Sequence, residues 1–169
     1  MALELGHIGI GLNLAPVLDV ATSSYNPGIG IRSFGAQPAL VGRLGTALLR
    51  GLQDHGVAAC AKHFPGKGAA TVDAHTERPT IRIPRRRFEN THLAPFAAAV
   101  KAGVASVMTS HVLFPALDTV PATFSRRITT SLLRGRLGFK GVIISDDLCM
   151  GAVTNNNPVP LAAQKAFAA

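Results

Sequence analysis

Tryptophan is absent from this chain of 169 residues, and cysteine, tyrosine and acidic residues are scarce. The two cysteines, Cys60 and Cys149, lie far apart in unlike surroundings, which excludes a disulfide framework and a metal site built from closely spaced cysteines. Cys60 belongs to an apolar run and is expected in the core. Apolar residues make up 47% of the chain, more than a disordered chain carries. The sequence therefore predicts a globular protein.

Long apolar runs are also missing, so no segment is predicted to span a membrane. The chain begins with a short segment that includes Glu4, unlike the basic and apolar start of a secretory signal peptide. From these two absences we expect a cytoplasmic protein with no membrane partner. The length suits a single domain, residues 1–169, that buries a core of its own.

The scarcity of acidic residues leaves a formal net charge of +8, most of it from arginine. The arginines cluster in three short stretches, 85–87, 126–127 and 134–136. A basic chain attracts nucleic acid or an anionic surface. No aromatic residues interleave these clusters to stack on bases, and no nucleic-acid motif is present. We therefore interpret the arginines as solvated helix faces and expect no nucleic-acid partner.

Four short apolar runs, rich in small and β-branched residues, are each followed by polar or ionisable side chains. The runs are residues 10–18, 57–61, 104–109 and 141–145. This pattern predicts four strands that are buried on both faces. Amphipathic patterns over 38–55, 88–101, 125–137 and 160–168 predict helices between and after them, three of which end at glycine. Strand-to-helix alternation predicts an α/β fold with a parallel sheet.

The polar residues that follow the runs are expected to share one edge of that sheet. Asp19, His63, His111 and Asp146 each follow a different strand. In parallel α/β proteins, functional sites form at the carboxyl ends of the strands. Packing alone does not readily explain why all four strands are followed by ionisable side chains on the same edge of the sheet.

A glycine-rich loop leaves the second strand and runs from Lys62 to His75. Gly66 and Gly68 permit unusual backbone angles and close approach to a ligand. Asp73 and His75 are two residues apart, so in extended backbone their side chains share a face and the carboxylate can orient the imidazole for proton transfer. Taken alone, this pair fits an incidental surface loop as well.

Asp146 and Asp147 follow the fourth strand. A carboxylate at the end of a buried strand is well held and partly desolvated, and it can attack the anomeric carbon of a sugar. Either residue could instead cap the following turn, and this second interpretation suits Asp147 better than Asp146.

Several long motifs stand together in this order: N-L-A-P-V-L-D-V at 13–20, I-R-S-F-G at 31–35, K-H-F-P-G-x-G at 62–68, D-x-H at 73–75, P-A-T-F-S at 121–125 and L-G-F-x-G-V-I-x-S-D-D-L-x-M at 137–150. They cover nearly the whole chain. With these motifs the sequence strongly resembles the glycoside hydrolase family 3 β-N-acetylglucosaminidases, which act in bacterial cell-wall recycling and turnover.

The resemblance implies a role for each matching position. Asp146 stands at the nucleophile, His75 at the acid/base, and Asp73 at its partner in a dyad. The positions that match sugar-binding or site-lining residues are Arg32, Lys62, His63 and Met150, with Asp19 and His111 as wall or supporting residues. The resemblance implies no metal and no organic cofactor. The implied function is a retaining hydrolase that removes non-reducing-end β-N-acetylglucosamine from peptidoglycan- or chitin-derived sugars, with a phosphorylase as a variant.

Two positions depart from the family: Lys67 and Ala74 stand where it usually has His and Ser. The family also has about two strands before Ile10 and about two after Met150, and a complete eight-fold barrel needs about 250 residues. We therefore expect a partial TIM barrel of four central βα units, and a possible homo-oligomer that completes it. The alternative is a non-catalytic fragment of the family that at most binds sugar.

Overall fold

Four parallel strands form one sheet, in the order β1-β2-β3-β4, in a computed structural model that describes all 169 residues. The strands are β1 (Leu12–Asn13), β2 (Ala58–Phe64), β3 (Ser106–Thr109) and β4 (Val142–Ser145). Neighbouring strands are consecutive in the chain, as right-handed βα units place them. The expected partial barrel of parallel strands is confirmed.

The helices lie between and after the strands. They are α1 (Ala2–His7), α2 (Pro38–Gln53), α3 (Arg85–Phe88), α4 (Ala94–Lys101), α5 (Gly151–Thr154) and α6 (Val159–Phe167). A π-helical stretch, Glu89–Leu93, joins α3 to α4, and a second, Arg127–Arg136, precedes β4. The four predicted helices are present with small shifts at their ends, whereas α1 and α5 were not predicted. No helix of the structure has the length and apolar character needed to cross a bilayer.

Register between the central strands is set by apolar and small side chains. Ala61 pairs with Val107, and Val107 pairs with Ile143. The register of β2 against β3 shifts between Ala61 and Phe64, so the end of β2 departs from regular pairing. That irregular end carries Lys62 and His63.

The first strand is much shorter than the predicted run 10–18. Pro16 lacks a backbone N–H and breaks the regular ladder. Hydrogen bonds to β2 nevertheless continue: the backbone N–H of Lys62 donates to the carbonyl oxygen of Pro16 at 3.0 Å, and the N–H of Leu18 donates to the carbonyl oxygen of Lys62 at 2.6 Å. The chain therefore follows β2 as far as Asp19 although only two residues form regular strand.

Burial on both faces, predicted for all four strands, is wrong for β1 and β4. Leu12 is 40% exposed and Val142 is 62% exposed, whereas the inner strands β2 and β3 are largely buried. The reason is that β1 and β4 are the edges of an open sheet, so each has a neighbouring strand on one side only.

One hydrophobic cluster of 24 buried residues packs the helices against the sheet. Phe64 at the end of β2 meets Phe96 of α4 edge to face, with ring centroids 5.3 Å apart. Cys60 lies in this core, as expected, and burial raises the pKa of its thiol. The core fixes β2 and β3, whose carboxyl ends carry part of the site described next.

Candidate active site

The residues that follow the four strands meet at one edge of the sheet, as the parallel topology requires. Asp19, His63 and Asp146 form a contiguous cluster there, although they come from three different strand ends. His111 lies behind the same edge. The prediction that the four strand ends share one side is confirmed.

Asp19 is the buried centre of this cluster. Its side chain is fully inaccessible and accepts three hydrogen bonds: from Nδ1 of His63 at 2.7 Å, from the His63 backbone N–H at 3.3 Å and from the Lys67 backbone N–H at 2.6 Å. Burial alone would raise the pKa of Asp19, but His63 and the Lys67 N–H hold it below its usual range. Complete burial excludes contact with a ligand, so Asp19 is a supporting residue that fixes His63 and the start of the loop.

His63 has only one ring nitrogen that is free of a hydrogen bond within the protein. Burial lowers its pKa more than the carboxylate of Asp19 raises it, so the neutral ring donates Nδ1–H to Asp19. Its Nε2 then carries a lone pair and lies 4.0 Å from Oδ2 of Asp146. A neutral imidazole in this tautomer can accept a hydrogen bond from a ligand hydroxyl.

Asp146 is 9% exposed and stands between two nitrogen groups. Its Oδ2 lies 3.8 Å from Nζ of Lys67 and 4.0 Å from Nε2 of His63, while its Oδ1 accepts the backbone N–H of Asp147 at 3.0 Å. The carboxylate is thus held in one orientation, largely out of water and beside a cation. These are the properties of a carboxylate that acts as a nucleophile.

Asp147 has the capping role that the sequence favoured for it. Its Oδ1 accepts the backbone N–H of Cys149 at 2.8 Å, and its side chain faces solvent. The two adjacent acids are therefore different in kind: Asp146 is buried in the cluster and Asp147 caps the turn that follows.

The glycine-rich loop begins with close packing against the first strand segment. A Cβ atom at Gly68 would overlap the carbonyl group of Val20, and one at Gly66 would lie 2.9 Å from Cβ of His92. Gly66 also has a φ of +113°, which side chains with a Cβ rarely adopt. Both glycines are thus required where the loop leaves β2.

Further along the same loop, Asp73 and His75 form the predicted pair. Oδ1 of Asp73 lies 2.7 Å from Nδ1 of His75 and accepts the His75 backbone N–H at 3.0 Å. That backbone hydrogen bond is the main cause that lowers the pKa of Asp73. The ionised carboxylate fixes the imidazole, whose side chain is 60% exposed and so open to a ligand.

Arg32 and Lys62 lie on the open side of the cluster. Arg32 is exposed at the end of a 3₁₀ turn, where its guanidinium donates to the carbonyl oxygen of Gly28. Burial and the positive charge of Arg32 lower the pKa of the half-buried Lys62. Gly28 also adjoins the dyad, since a Cβ atom there would lie 3.4 Å from Oδ1 of Asp73.

His111 is a buried residue that supports the site through two hydrogen bonds. Its Nε2–H donates to the carbonyl oxygen of Asp147 at 2.9 Å, and its Nδ1 lies 2.9 Å from the hydroxyl of Thr123. Burial lowers its pKa, and the side chain is inaccessible. Both ring nitrogens are occupied by the protein, so His111 supports the turn after Asp146 and does not touch a ligand.

Met150 is largely buried against Ala74, so it joins the segment after Asp146 to the loop that carries His75.

Two further residues of the site had no assigned part in the sequence interpretation. The hydroxyl of Thr123, within P-A-T-F-S, forms hydrogen bonds with Nδ1 of His111 and the hydroxyl of Thr109, and it donates to the carbonyl oxygen of Ser110. Lys67 was noted only as a departure from the family pattern, and a lysine next to glycine gives no signal that its side chain is buried. No group of three or more His, Cys, Asp or Glu side chains is arranged to hold a metal ion.

Comparison with known proteins agrees with this geometry. Residues 1–169 match the glycosyl hydrolase family 3 N-terminal domain. A β-hexosaminidase of Thiobacillus denitrificans is 43% identical over 150 residues, which are 89% of this chain and 42% of that protein. The structure of a glycoside hydrolase family 3 β-N-acetylglucosaminidase from Paenibacillus sp. is 46% identical and superposes with a TM-score of 0.96, over 98% of this chain and 32% of that one.

A third relative is known with a ligand. NagZ from Neisseria gonorrhoeae, in complex with N-trifluoroacetyl-D-glucosamine, is 40% identical with a TM-score of 0.90, over 99% of this chain and 48% of that one. The chain therefore spans less than half the length of each of these relatives. With the family match over its whole length, the chain belongs to glycosyl hydrolase family 3, within the N-terminal domain of that family.

Proposed function

We propose that this chain carries the catalytic centre of a retaining exo-acting glycosidase that removes β-N-acetylglucosamine from the non-reducing end of its substrate. The observation that carries the proposal is the position of Asp146, buried at the end of β4 beside His63 and Lys67, with an exposed Asp73–His75 pair on the neighbouring loop. A held carboxylate and a separate proton donor are the two groups that a retaining glycosidase needs.

The chemistry divides into two steps. In the first, a carboxylate oxygen of Asp146 attacks the anomeric carbon while His75 gives a proton to the glycosidic oxygen, which leaves with its electron pair as an alcohol. In the second, His75 takes a proton from water, and the hydroxide displaces Asp146 from the anomeric carbon. Two displacements at the same carbon give retention of configuration.

Substrate recognition is assigned to the polar groups around this centre. Arg32 and Lys62 offer N–H donors on the open side, and Nε2 of His63 offers an acceptor beside Asp146. Sugar hydroxyls need both donors and acceptors. The choice of N-acetylglucosamine follows from the names of the relatives, β-hexosaminidase and β-N-acetylglucosaminidase, and from the glucosamine derivative bound to the gonococcal protein.

The deciding experiment combines turnover with covalent labelling. The chain is expected to release the aglycone from a chromogenic β-N-acetylglucosaminide, and a 2-fluoro sugar inactivator should label Asp146. Asp146→Asn should fold normally and lose both signals, since an amide does not form a stable glycosyl ester. Labelling of Asp147 would contradict the assignment. A folded chain that binds N-acetylglucosamine but neither turns over nor becomes labelled would support a sugar-binding fragment instead.

We also propose that a second copy of the chain covers the open edges of the sheet. Leu12, Leu14 and Val142 are 40%, 43% and 62% exposed at those edges. Since β1 and β4 are parallel, β4 of one copy can pair with β1 of the other and vice versa, which closes eight strands by a two-fold axis.

Within the sheet, the exposed apolar side chains are restricted to those edges. Ala59, Ala61 and Val107 of the inner strands are fully buried within the single chain, because β2 and β3 have a neighbouring strand on both sides. Sedimentation should show a dimer at micromolar concentration. A well-folded monomer under those conditions would contradict the assembly.

A further inference from the structure

Helix α5 starts directly after the segment that carries Asp146, and its first turn contacts the loop that carries His75. The backbone N–H of Gly151 donates to the carbonyl oxygen of His75 at 2.9 Å, and that of Ala152 donates to the carbonyl oxygen of Ala74 at 3.0 Å. N–H groups in the first turn of a helix have no acceptor within the helix. Here the loop supplies the missing acceptors.

Side chains extend this contact on both sides. Ala74 is 4% exposed and packs against Met150 and Ala152 in a small apolar cluster separate from the main core. At the end of α5, Nδ2 of Asn155 donates to the carbonyl oxygen of Thr76 at 3.0 Å. Three consecutive loop residues are therefore held by their carbonyl groups, one of them also by its methyl group.

Gly151 is required for the two segments to approach this closely. A Cβ atom at that position would overlap the carbonyl oxygen of Thr76 and would lie 2.7 Å from that of His75. These atoms belong to the backbone and cannot rotate away as a side chain would. Any other residue at 151 would push the loop off the helix.

We infer that Gly151 and Asn155 are positioning residues that hold the acid/base loop against α5. The inference rests on the proposed function for His75, and it adds two residues that act through that histidine and do not touch the substrate themselves. The name loop dock is used below for Gly151, Ala152 and Asn155. Because the dock follows Asp146 in the chain, it ties the proton donor to the element that carries the nucleophile.

The consequence for catalysis is geometric. A general acid must lie within hydrogen-bond reach of the leaving oxygen, and a displacement of about 1 Å costs about a hundredfold in rate. A loop that is anchored to α5 keeps His75 in a fixed relation to the segment that carries Asp146. The contacts at 74–76 are therefore the anchor that holds His75 in place.

Backbone hydrogen exchange tests the dock without any substrate. The amide protons of Gly151 and Ala152 are direct reporters, since their only acceptors are the loop carbonyls of His75 and Ala74. Asn155→Ala should accelerate their exchange about fivefold, the factor for one partly exposed hydrogen bond. Gly151→Ala should accelerate the exchange of Ala152 about tenfold or more, because the added Cβ displaces the loop.

Two matched controls separate docking from general loss of stability. Asn156→Ala removes a neighbouring exposed asparagine with no side-chain hydrogen bond to the loop, and Gly135→Ala adds a Cβ whose nearest atom lies 3.7 Å away. Neither control variant should change the exchange rate of the amide protons of Gly151 and Ala152. Unchanged exchange in Asn155→Ala would overturn the inference, and this holds even if Gly151→Ala fails to fold.

The positioning role has its own readout. Asn155→Ala should lower kcat about tenfold for substrates with poor leaving groups and much less for activated ones, because only the former need His75 to give a proton. Equal losses on both kinds of substrate would overturn the positioning role, even with accelerated exchange. A chain with no glycosidase activity would contradict the proposed function, and the exchange result would still decide whether the dock holds the loop.

Discussion

The ammonium group of Lys67 lies 3.8 Å from the carboxylate of Asp146, and the lysine side chain is 5% exposed. A permanent cation beside the nucleophile favours the states in which Asp146 carries its negative charge. In the proposed mechanism those states are the free protein and the product of the second step, whereas the glycosyl ester between them is neutral at this oxygen.

Lys67→Met is therefore expected to slow the release of sugar from Asp146 more than its attachment. The second step returns negative charge to the carboxylate, and a preorganised charge partner at such a site contributes a factor of about 10². The glycosyl-enzyme should then accumulate, which a pre-steady-state burst of aglycone and the intact mass of the protein would show. Lys67→His should restore much of the rate. Equal slowing of both steps would contradict this role.

His75→Ala should separate substrates by their leaving groups. Loss of the general acid costs about 10²–10⁴ in rate when the leaving oxygen needs a proton, and little when the aglycone leaves as a stable phenolate. Asp73→Ala should follow the same trend more weakly, because the ring loses its orienting partner at 2.7 Å but remains in place on the loop. Values of kcat/KM over a series of aryl glycosides provide the measurement, with the exposed and remote His55→Ala as control. A uniform loss across the series would assign His75 a structural part only.

Stability should fall as the pH drops below about 6.5, the usual pKa of histidine. Burial lowers the pKa of His63, His92 and His111, so the unfolded chain binds protons that the folded chain does not. By linkage, the free energy of unfolding then rises with pH up to that value and decreases as pH falls toward the lowered pKa values. Urea denaturation at pH 7.5 and 5.5 measures the difference. His92→Leu should reduce the stability difference between the two pH values, because it removes one of the three buried imidazoles. The Nδ1 of this ring has no hydrogen-bond partner to lose. The exposed His55→Gln should leave the difference unchanged.

Asp19→Asn should destabilise the fold by about 3 kcal/mol, the cost of breaking a buried charged hydrogen-bond set. The three donors that meet Asp19 come from His63 and Lys67, and an amide would turn its own N–H group toward one of them. Chemical denaturation gives the free energy of unfolding, with Asp54→Asn at the exposed end of α2 as the matched control. If Asp19→Asn and Asp54→Asn had the same free energy of unfolding, Asp19 would not be the centre of the cluster.

Local patterns in the sequence were enough to predict the parallel strands, because each strand is a short run of β-branched and small residues followed by polar ones. They were also enough to place Asp146 at a strand end and to assign Asp147 to a cap. They did not reveal that Asp19 and His111 are wholly buried. Whether a polar residue after a strand faces a ligand or supports a neighbour depends on contacts with distant segments, here with His63 and Thr123.

Two further features also depend on long-range contacts. Helix α5 has four residues, too few for a hydrophobic period, and its first N–H groups are satisfied by a loop about 75 residues earlier in the chain. The inward turn of Lys67 is set by the bond from its backbone N–H to Asp19, which no local pattern records. The exposure of Val142 likewise follows from the absence of a neighbouring strand, since the residue itself has the character of a buried strand.

The loop that carries His75 is attached to α5 through carbonyl oxygens, which every amino acid possesses. Its anchorage at 75 and 76 is therefore independent of the side chains at those positions. This makes residue 75 a convenient position for redesign: glutamate can replace the histidine as proton donor while the main chain stays where it is. A protein engineer can thus vary the acid without rebuilding the scaffold, provided that Gly151 is left unchanged.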